Sequence, residues 1–535
     1  MKPSEEKKYE KLSPFELKDK LIKLAGTNHE RMMLNAGRGN PNWVAVTPRE
    51  AFFELGNFAN TEALRTVDLP AVGMSPEKSG SGARFRHYLG KRQSVPGAKL
   101  LLQSLDYIRD ELKMDEDSFT YELVDGILGD HYPEPDRILT FCEQVIQKYL
   151  DQEMFAGAPP MGKFDLFATE GGTAAMHYIF TSLMENHLLH KGDTIAIGTP
   201  IFTPYIEIPR LNDYQFMELE IRQDEDKYWQ YTAQEIDKLA DPAVKAFFLV
   251  HPSNPTSVAM DEATLTRIDN LVRTKRKDLI IITDDVYGTF VNGFRSIAAA
   301  APRNTILVYS FSKYFGATGW RLGVIGIHQD NIFDKRIAAL PKELREGLRQ
   351  RYSTVVLEPD KMKLIDRMVA DSRSVALHHT AGLSTPQQVM MALFSLYCLL
   401  DKENIYKRVA QYIIAHRFSS LYDALGAPAP ENKYDAHYYT TIDVPTLARQ
   451  RYGEDFVRYM VKKHESIDFV VRLAEDKSVV LVDGGGFDAP EMSVRVSLAN
   501  LPNSTYTAIG KAISELLDAY VSEWQESKKR KGQQS

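Results

Sequence analysis

An amine able to condense with an aldehyde, hydroxyls and a guanidinium able to hold a phosphate, and glycines that let backbone come close all occur within residues 310–323. They are Ser310, Ser312, Lys313, Gly316, Gly319, Arg321 and Gly323, and they follow the apolar run 305–309, which reads as a buried strand. Together they suit a phosphate-bearing aldehyde cofactor carried on Lys313. A strand running into a polar, glycine-rich loop, as in any α/β protein, accounts for the same residues without a cofactor.

Such a cofactor makes further demands, and each has a counterpart in the chain. A phosphate dianion is favoured at a helix N-terminus, where free backbone amides and the dipole act together. Gly171, Gly172 and Thr173 open a helical stretch just after the apolar residues 164–168. A pyridine ring needs a flat partner, and Phe202 follows another strand-like run. An anion beside the ring nitrogen keeps it protonated, and Asp284 ends the apolar run 279–283, with Tyr287 three residues on. A bidentate arginine best anchors a substrate carboxylate, and Arg495 stands between apolar neighbours at 492–497. Asn254 lies in an Asn-Pro-Thr turn. Alone, each pattern is common in purely structural roles; their order along the chain is what joins them.

In that order the chain resembles the class I/II (fold-type I) pyridoxal-phosphate aminotransferases. The matching segments are S-x-S-K-x-x-G-x-x-G-x-R-x-G at 310–323, P-x-F-x-x-Y at 200–205, D-x-x-Y at 284–287 and R-x-S at 495–497. N-P-T-G is matched at 254–257 with Ser257 in place of the final glycine. The resemblance implies pyridoxal 5'-phosphate on Lys313, with Gly171, Gly172, Thr173, Ser310, Ser312 and Arg321 around its phosphate. It implies Phe202 over the ring, Asp284 at the ring nitrogen, Tyr287 and Asn254 at the phenolic oxygen, and Arg495 on the substrate's α-carboxylate. Tyr132 matches the family's tyrosine that reaches the phosphate of the adjacent subunit, so a homodimer with shared active sites is implied. The fold implied is α/β: a large domain with a mostly parallel, seven-stranded sheet, and a smaller α+β domain drawn from both chain ends.

The bulk of the chain agrees with this class. Its 535 residues exceed one core, and 44% hydrophobic and 10% aromatic content are those of a globular protein. A net charge of −7 gives no sign of a nucleic-acid partner, and the basic residues 528–531 read as a solvated end. Two cysteines, Cys142 and Cys398, allow no disulfide framework and no metal spacing, so no metal is expected and a reducing cytoplasm fits. The first residues are charged rather than apolar, and the longest apolar run, 389–400, is too short to span a membrane. We expect an N-terminal arm and part of the small domain over 1–115. A large cofactor-binding domain is expected over 116–385, with a helical insertion at about 331–375, and a C-terminal small domain over 386–535.

Family members of ordinary length are shorter than this chain, and a long-chain subgroup, the aspartate 4-decarboxylases, has its layout. The resemblance includes residues 35–43 and Gly129-Asp-His-Tyr132-Pro. It implies L-aspartate as substrate, L-alanine and CO2 as products, some aspartate transamination, and dimers assembled further to a dodecamer. Arg38, in the glycine-rich turn the family lays over the substrate, is the candidate for the β-carboxylate, and Gly39 lets that turn approach. Thr380 aligns with the arginine that dicarboxylate transaminases use at that position. An aspartate or broad-specificity aminotransferase without significant decarboxylation is the alternative. A non-catalytic module of a transcription regulator is a third reading, and no helix-turn-helix segment supports it.

Overall fold

The computed structural model describes residues 3–532 apart from 11, 27–31, 66, 68, 70, 212 and 374–381; Thr380 therefore lies outside the described residues. The described strands are, in chain order, β1 (Leu34–Asn35), β2 (Phe164–Thr169), β3 (Thr194–Thr199), β4 (Met217–Asp224), β5 (Gln230–Tyr231), β6 (Val244–Val250) and β7 (Ile280–Asp284). They continue with β8 (Thr305–Ser310), β9 (Gly323–His328), β10 (Tyr439–Asp443), β11 (Val479–Val480), β12 (Val482–Asp483) and β13 (Ser493–Ser497).

One large sheet has the order β2-β9-β8-β7-β6-β3-β4-β5. Strands β4, β3, β6, β7 and β8 run parallel, while β9 is antiparallel to both β8 and β2. The runs Phe247-Phe-Leu-Val250 and Ile280-Ile-Ile282 are buried throughout, as strands covered by helices on both faces must be. Helices Gly172–Glu185 and Glu262–Thr274 make two of the crossovers. The expected seven strands gain an eighth, the two-residue β5, because the chain turns tightly at Glu225–Lys227 and folds back on the end of β4.

The carboxyl ends of parallel strands in such a sheet are where ligands bind. The segments after β3, β6 and β8 carry Phe202, Asn254 and Lys313, and the last residue of β7 is Asp284, all at that one edge.

The other layer is an antiparallel sheet, β10-β13-β12, with β1 paired in parallel to β11. Residues from both chain ends meet in it. Helix Pro14–Ala25 starts at a capping box formed by Ser13 and Glu16 and packs on helix Asp468–Lys477. Helix Ile405–Leu425 packs along helix Thr505–Gly532. Helix Thr385–Leu400, apolar on nearly all faces, is buried against Thr140–Glu153 and Val46–Arg65. Among the described residues no helix is long and apolar enough to cross a membrane.

The turn over residues 35–45 is strapped to the loop that carries Lys313. The Trp43 indole N–H donates to the Tyr314 carbonyl (3.1 Å), and Ala45 N–H donates to the Phe315 carbonyl (3.2 Å). The Arg49 guanidinium spans the carbonyls of Ala45, Phe315 and Gly316. Gly316 has φ +60°, and a Cβ there would lie 1.8 Å from the Trp43 carbonyl oxygen, so only glycine fits beneath the turn.

Candidate active site

Lys313 points into a cavity of about 490 Å³ at the carboxyl edge of the large sheet, closed on one side by residues 37–40 and on another by β10, β12 and β13. Its Nζ donates to the Gly39 carbonyl at 3.0 Å. The Tyr438 hydroxyl donates to the same oxygen at 2.9 Å. A Cβ on Gly39 would sit 2.4 Å from the Tyr439 hydroxyl and 3.4 Å from Lys313 Nζ, so the turn can come this close only as glycine.

On the sheet side, Asp284 is buried at the end of β7. Its Oδ2 accepts from the Tyr205 hydroxyl at 2.8 Å and its Oδ1 from the Val286 N–H at 3.2 Å. Burial pushes its pKa up to about 6, against the lowering effect of these bonds and of the Lys313 charge. The ionised form therefore favours a cation in the cavity. Tyr287, also buried, places its hydroxyl 3.1 Å from that of Tyr439, and burial together with Tyr439 raises its pKa well above the usual value. Phe202, half-buried, borders the same space and meets Tyr205 edge-on at 5.3 Å.

At one end of the cavity, helix Gly172–Glu185 begins with Gly171 at φ +89°. Arg321 lies over it with φ +54°, donating to the carbonyls of Thr318 and Glu170, both at 3.2 Å. A Cβ on Gly171 would be 2.5 Å from Arg321 Nη2. The Ser310 hydroxyl donates to the Leu322 carbonyl at 3.2 Å and lies 3.0 Å from Ser312 Oγ. Backbone amides, two hydroxyls and a guanidinium thus converge where a phosphate would be held.

At the other end stands Arg495, on β13 and buried. Its Nη1 donates to Asn254 Oδ1 at 3.1 Å and its Nη2 to the Gly37 carbonyl at 2.9 Å, while its Nε is buried without a partner among the described residues. Its guanidinium carbon lies 4.4 Å from the Tyr439 ring centre and 4.7 Å from that of Phe487. Burial lowers its pKa while the nearby tyrosines oppose this, and an arginine stays charged even so. A buried guanidinium held by neutral acceptors is a binding group for a carboxylate.

A larger cleft, about 1310 Å³, adjoins this cavity and shares Lys18 and Val482 with it. Glu225, Asp483, Asp488 and Glu491 line that cleft, which makes it a poor place for a phosphate or a dicarboxylate in spite of its size. The groups suited to a phosphate and to a carboxylate lie in the smaller cavity.

The profile of the family described as aminotransferase class I and II matches residues 131–513. A bifunctional aspartate aminotransferase and L-aspartate beta-decarboxylase from a Pseudomonas species is 50% identical over 509 residues, covering 95% of this chain and 96% of that one. The chain belongs to the class I and II aminotransferases. An asparagine–oxo-acid transaminase from Streptococcus mutans is 23% identical, covering 58% of this chain and 67% of its own. The aspartate aminotransferase of Thermus thermophilus, solved with maleate, shares the fold with TM-score 0.59 at 15% identity, covering 94% of this chain and 96% of that one.

Aminotransferases of these classes use pyridoxal phosphate, and the cavity of this member fits it. The buried carboxyl of Asp284 meets a ring nitrogen's need for an anion, the Gly171–Arg321 cradle a phosphate's, and Lys313 an aldehyde's. Of the residues expected from the sequence, Arg38, Gly39, Gly172, Thr173, Phe202, Asn254, Asp284, Tyr287, Ser310, Ser312, Lys313, Arg321 and Arg495 all border this one space. Gly171 lies just beneath it, under Arg321. Tyr132 does not border it and stands on the surface, 67% exposed. Tyr205, Tyr438, Tyr439 and Phe487 were missed as site residues. Tyr205 had a signal, since it closes the P-x-F-x-x-Y segment, but the other three are aromatic residues that look like core from sequence.

Proposed function

We propose that this aminotransferase-family chain is a pyridoxal-phosphate enzyme that converts L-aspartate to L-alanine and CO2, with aspartate transamination as a minor activity. The observation that carries the reading is the 50% identity over nearly the whole chain to a bifunctional enzyme of that description. Lys313 and its cradle serve either outcome and cannot choose between them.

When bound, pyridoxal phosphate supplies the aldehyde that links the substrate amine and the protonated ring that draws electrons from the bonds being broken. Lys313 would carry the cofactor and, when the substrate amine takes its place, would be the base that moves the Cα proton, while the carbon that loses CO2 gains a proton in exchange. Arg495 binds the α-carboxylate through its fork, with Asn254 and the Gly37 carbonyl fixing the guanidinium plane. Asp284, oriented by Tyr205, would hold the ring nitrogen's proton, and Tyr287 would bond the ring's phenolic oxygen. Gly39 and Tyr438 shield Lys313 from water on the side of the turn.

Arg38, exposed at the rim of the cavity, meets the β-carboxylate. A group that leaves as CO2 must lose its charge, so a firm buried ion pair would stabilise the starting state and slow its departure. A rim arginine orients that carboxylate without burying it.

Tyr132, with its exposed ring, reaches the phosphate of the adjacent subunit in a homodimer with shared sites, and dimers assemble further to a dodecamer. The chain divides into the N-terminal arm with part of the small domain (1–115), the large domain (116–385) and the C-terminal small domain (386–535). The pairing of β1 with β11 supports a small domain drawn from both ends. Two free, buried cysteines suit the reducing cytoplasm.

The deciding experiment incubates the holoenzyme with L-aspartate and no keto acid. Stoichiometric CO2 and alanine support decarboxylation. A single half-turnover that yields oxaloacetate and stops would make the chain a plain aminotransferase.

A further inference from the structure

Ser257 is where the chain departs from N-P-T-G, and it sits in a conformation that suits the missing glycine. Its φ is +64°, in the left-handed region that L side chains avoid. Its hydroxyl accepts the backbone N–H of Tyr439 at 2.8 Å, and both residues are buried. β10 is the edge strand of its sheet, and Leu498 N–H donates to the Tyr438 carbonyl. The alternation of an antiparallel ladder then turns the Tyr439 N–H away from β13, towards Ser257. Glycine at 257 would relieve the backbone and leave that buried donor unpaired. Two neighbouring bonds run the same way: Ala436 N–H to the Ser257 carbonyl (2.8 Å) and Thr441 Oγ1 to the Pro255 carbonyl (3.2 Å). The Asn254 turn is stitched to β10.

Tyr439, the residue so held, touches three functional elements at once. Its hydroxyl is 3.1 Å from that of Tyr287, its ring centre 4.4 Å from the Arg495 guanidinium carbon, and its oxygen fills the place of a side chain at Gly39. Asn254, three residues before Ser257, holds Arg495 from the other side. We propose that Ser257 and Tyr439 form a positioning pair that holds the cofactor-facing phenol of Tyr287 and the carboxylate-binding guanidinium of Arg495 in register. This deepens the function proposed above and rests on it.

The two halves of the pair separate by mutation. Tyr439→Phe keeps the ring on Arg495 and loses the hydroxyl. The pH midpoint of the bound cofactor's absorbance near 400 nm should then move up by about half a unit or more, because hydrogen bonds towards the phenolic oxygen favour its anionic form. Maleate, a dicarboxylate without an amine, should bind as before. Tyr439→Leu should weaken maleate about 10-fold, the worth of a cation–π interaction in a desolvated site. Ser257→Gly and Ser257→Ala both remove the hydroxyl, but glycine also removes the strain. Glycine should melt higher than alanine, while both weaken maleate severalfold and shift the midpoint. A merely structural serine would let both site readouts follow the melting temperature instead. The proposal is overturned if Ser257→Gly and Tyr439→Phe keep the wild-type absorbance midpoint and Ser257→Gly binds maleate as wild type does. Neither readout needs turnover, so wild-type enzyme that makes no alanine from aspartate would overturn the proposed reaction and leave this test intact.

Discussion

The two walls of the cavity are built in opposite ways. The cofactor wall is made by strand ends of one sheet: Gly171 after β2, Phe202 after β3, Asp284 on β7 and Lys313 after β8. Each of these residues is placed by the strand end or the loop it belongs to. The substrate wall is assembled from Gly37 and Gly39 near one chain end, Tyr439 and Arg495 near the other, and Asn254 between them, and its geometry rests on contacts that span hundreds of residues. The first wall would serve decarboxylation and transamination alike. The second is where a chain can choose its substrate and outcome.

If that division holds, damage to the cofactor wall should remove chemistry altogether, and damage to the substrate wall should change affinity or product. Lys313→Ala should lower turnover of L-aspartate by at least ~10³-fold, since it would remove both the proposed attachment point and the proposed base. Steady-state assays together with the absorbance band near 400 nm check this, and substantial residual turnover would sink the mechanism. Arg495→Leu should raise KM for aspartate by about 10²-fold, the worth of a pair of charged hydrogen bonds, with the cofactor's absorbance kept. An equal loss of absorbance would mean that the walls are not separable.

Smaller changes sharpen the contrast. Gly39→Ala pushes a methyl to within 2.4 Å of the Tyr439 hydroxyl. Overpacking of about 1–3 kcal/mol should be spent on displacing the turn, lowering kcat/KM for aspartate about 10-fold while cofactor affinity, measured by equilibrium dialysis, stays constant. Arg38→Gln should alter the ratio of alanine to oxaloacetate by a few-fold, with total turnover less affected, as read by product analysis. An unchanged ratio would remove Arg38 from the β-carboxylate.

The smallest effect on activity is expected behind the cofactor wall, at Asp285. This buried carboxyl accepts from Thr283 Oγ1 at 2.5 Å, its Oδ2 has no partner among the described residues, and burial pushes its pKa up to about 8. The folded chain then keeps a proton that the unfolded chain releases near pH ~4. Stability from this group is present in acid and lost as pH rises towards 8. Asp285→Asn should flatten that decline, measured as the difference between the two denaturation curves over the same pH range.

How much was legible varied with how local the cause was. β2, β3, β6, β7 and β8 showed as short apolar runs because strands buried on both faces must be apolar throughout. β4 escaped notice because its first residues are exposed and charged in alternation with others, and β9 because it begins at the glycine that closes the lysine motif. Tyr438 and Tyr439 read only as part of a strand: nothing in a tyrosine pair says whether its hydroxyls will face a glycine carbonyl, a second phenol or a neighbouring strand.

By itself the sequence determined which residues make up the proposed cofactor wall, since a lysine, a phosphate cradle and a buried acid each depend on a few neighbouring residues and the strand before them. Only the tertiary structure decided that Gly39 lies against Lys313, that Tyr439 joins Tyr287 to Arg495, and that Ser257 is bonded to the start of β10. The reason is one of range. Local spacing sets what a loop can hold, whereas closure of a long chain sets which distant groups come within about 3 Å of one another.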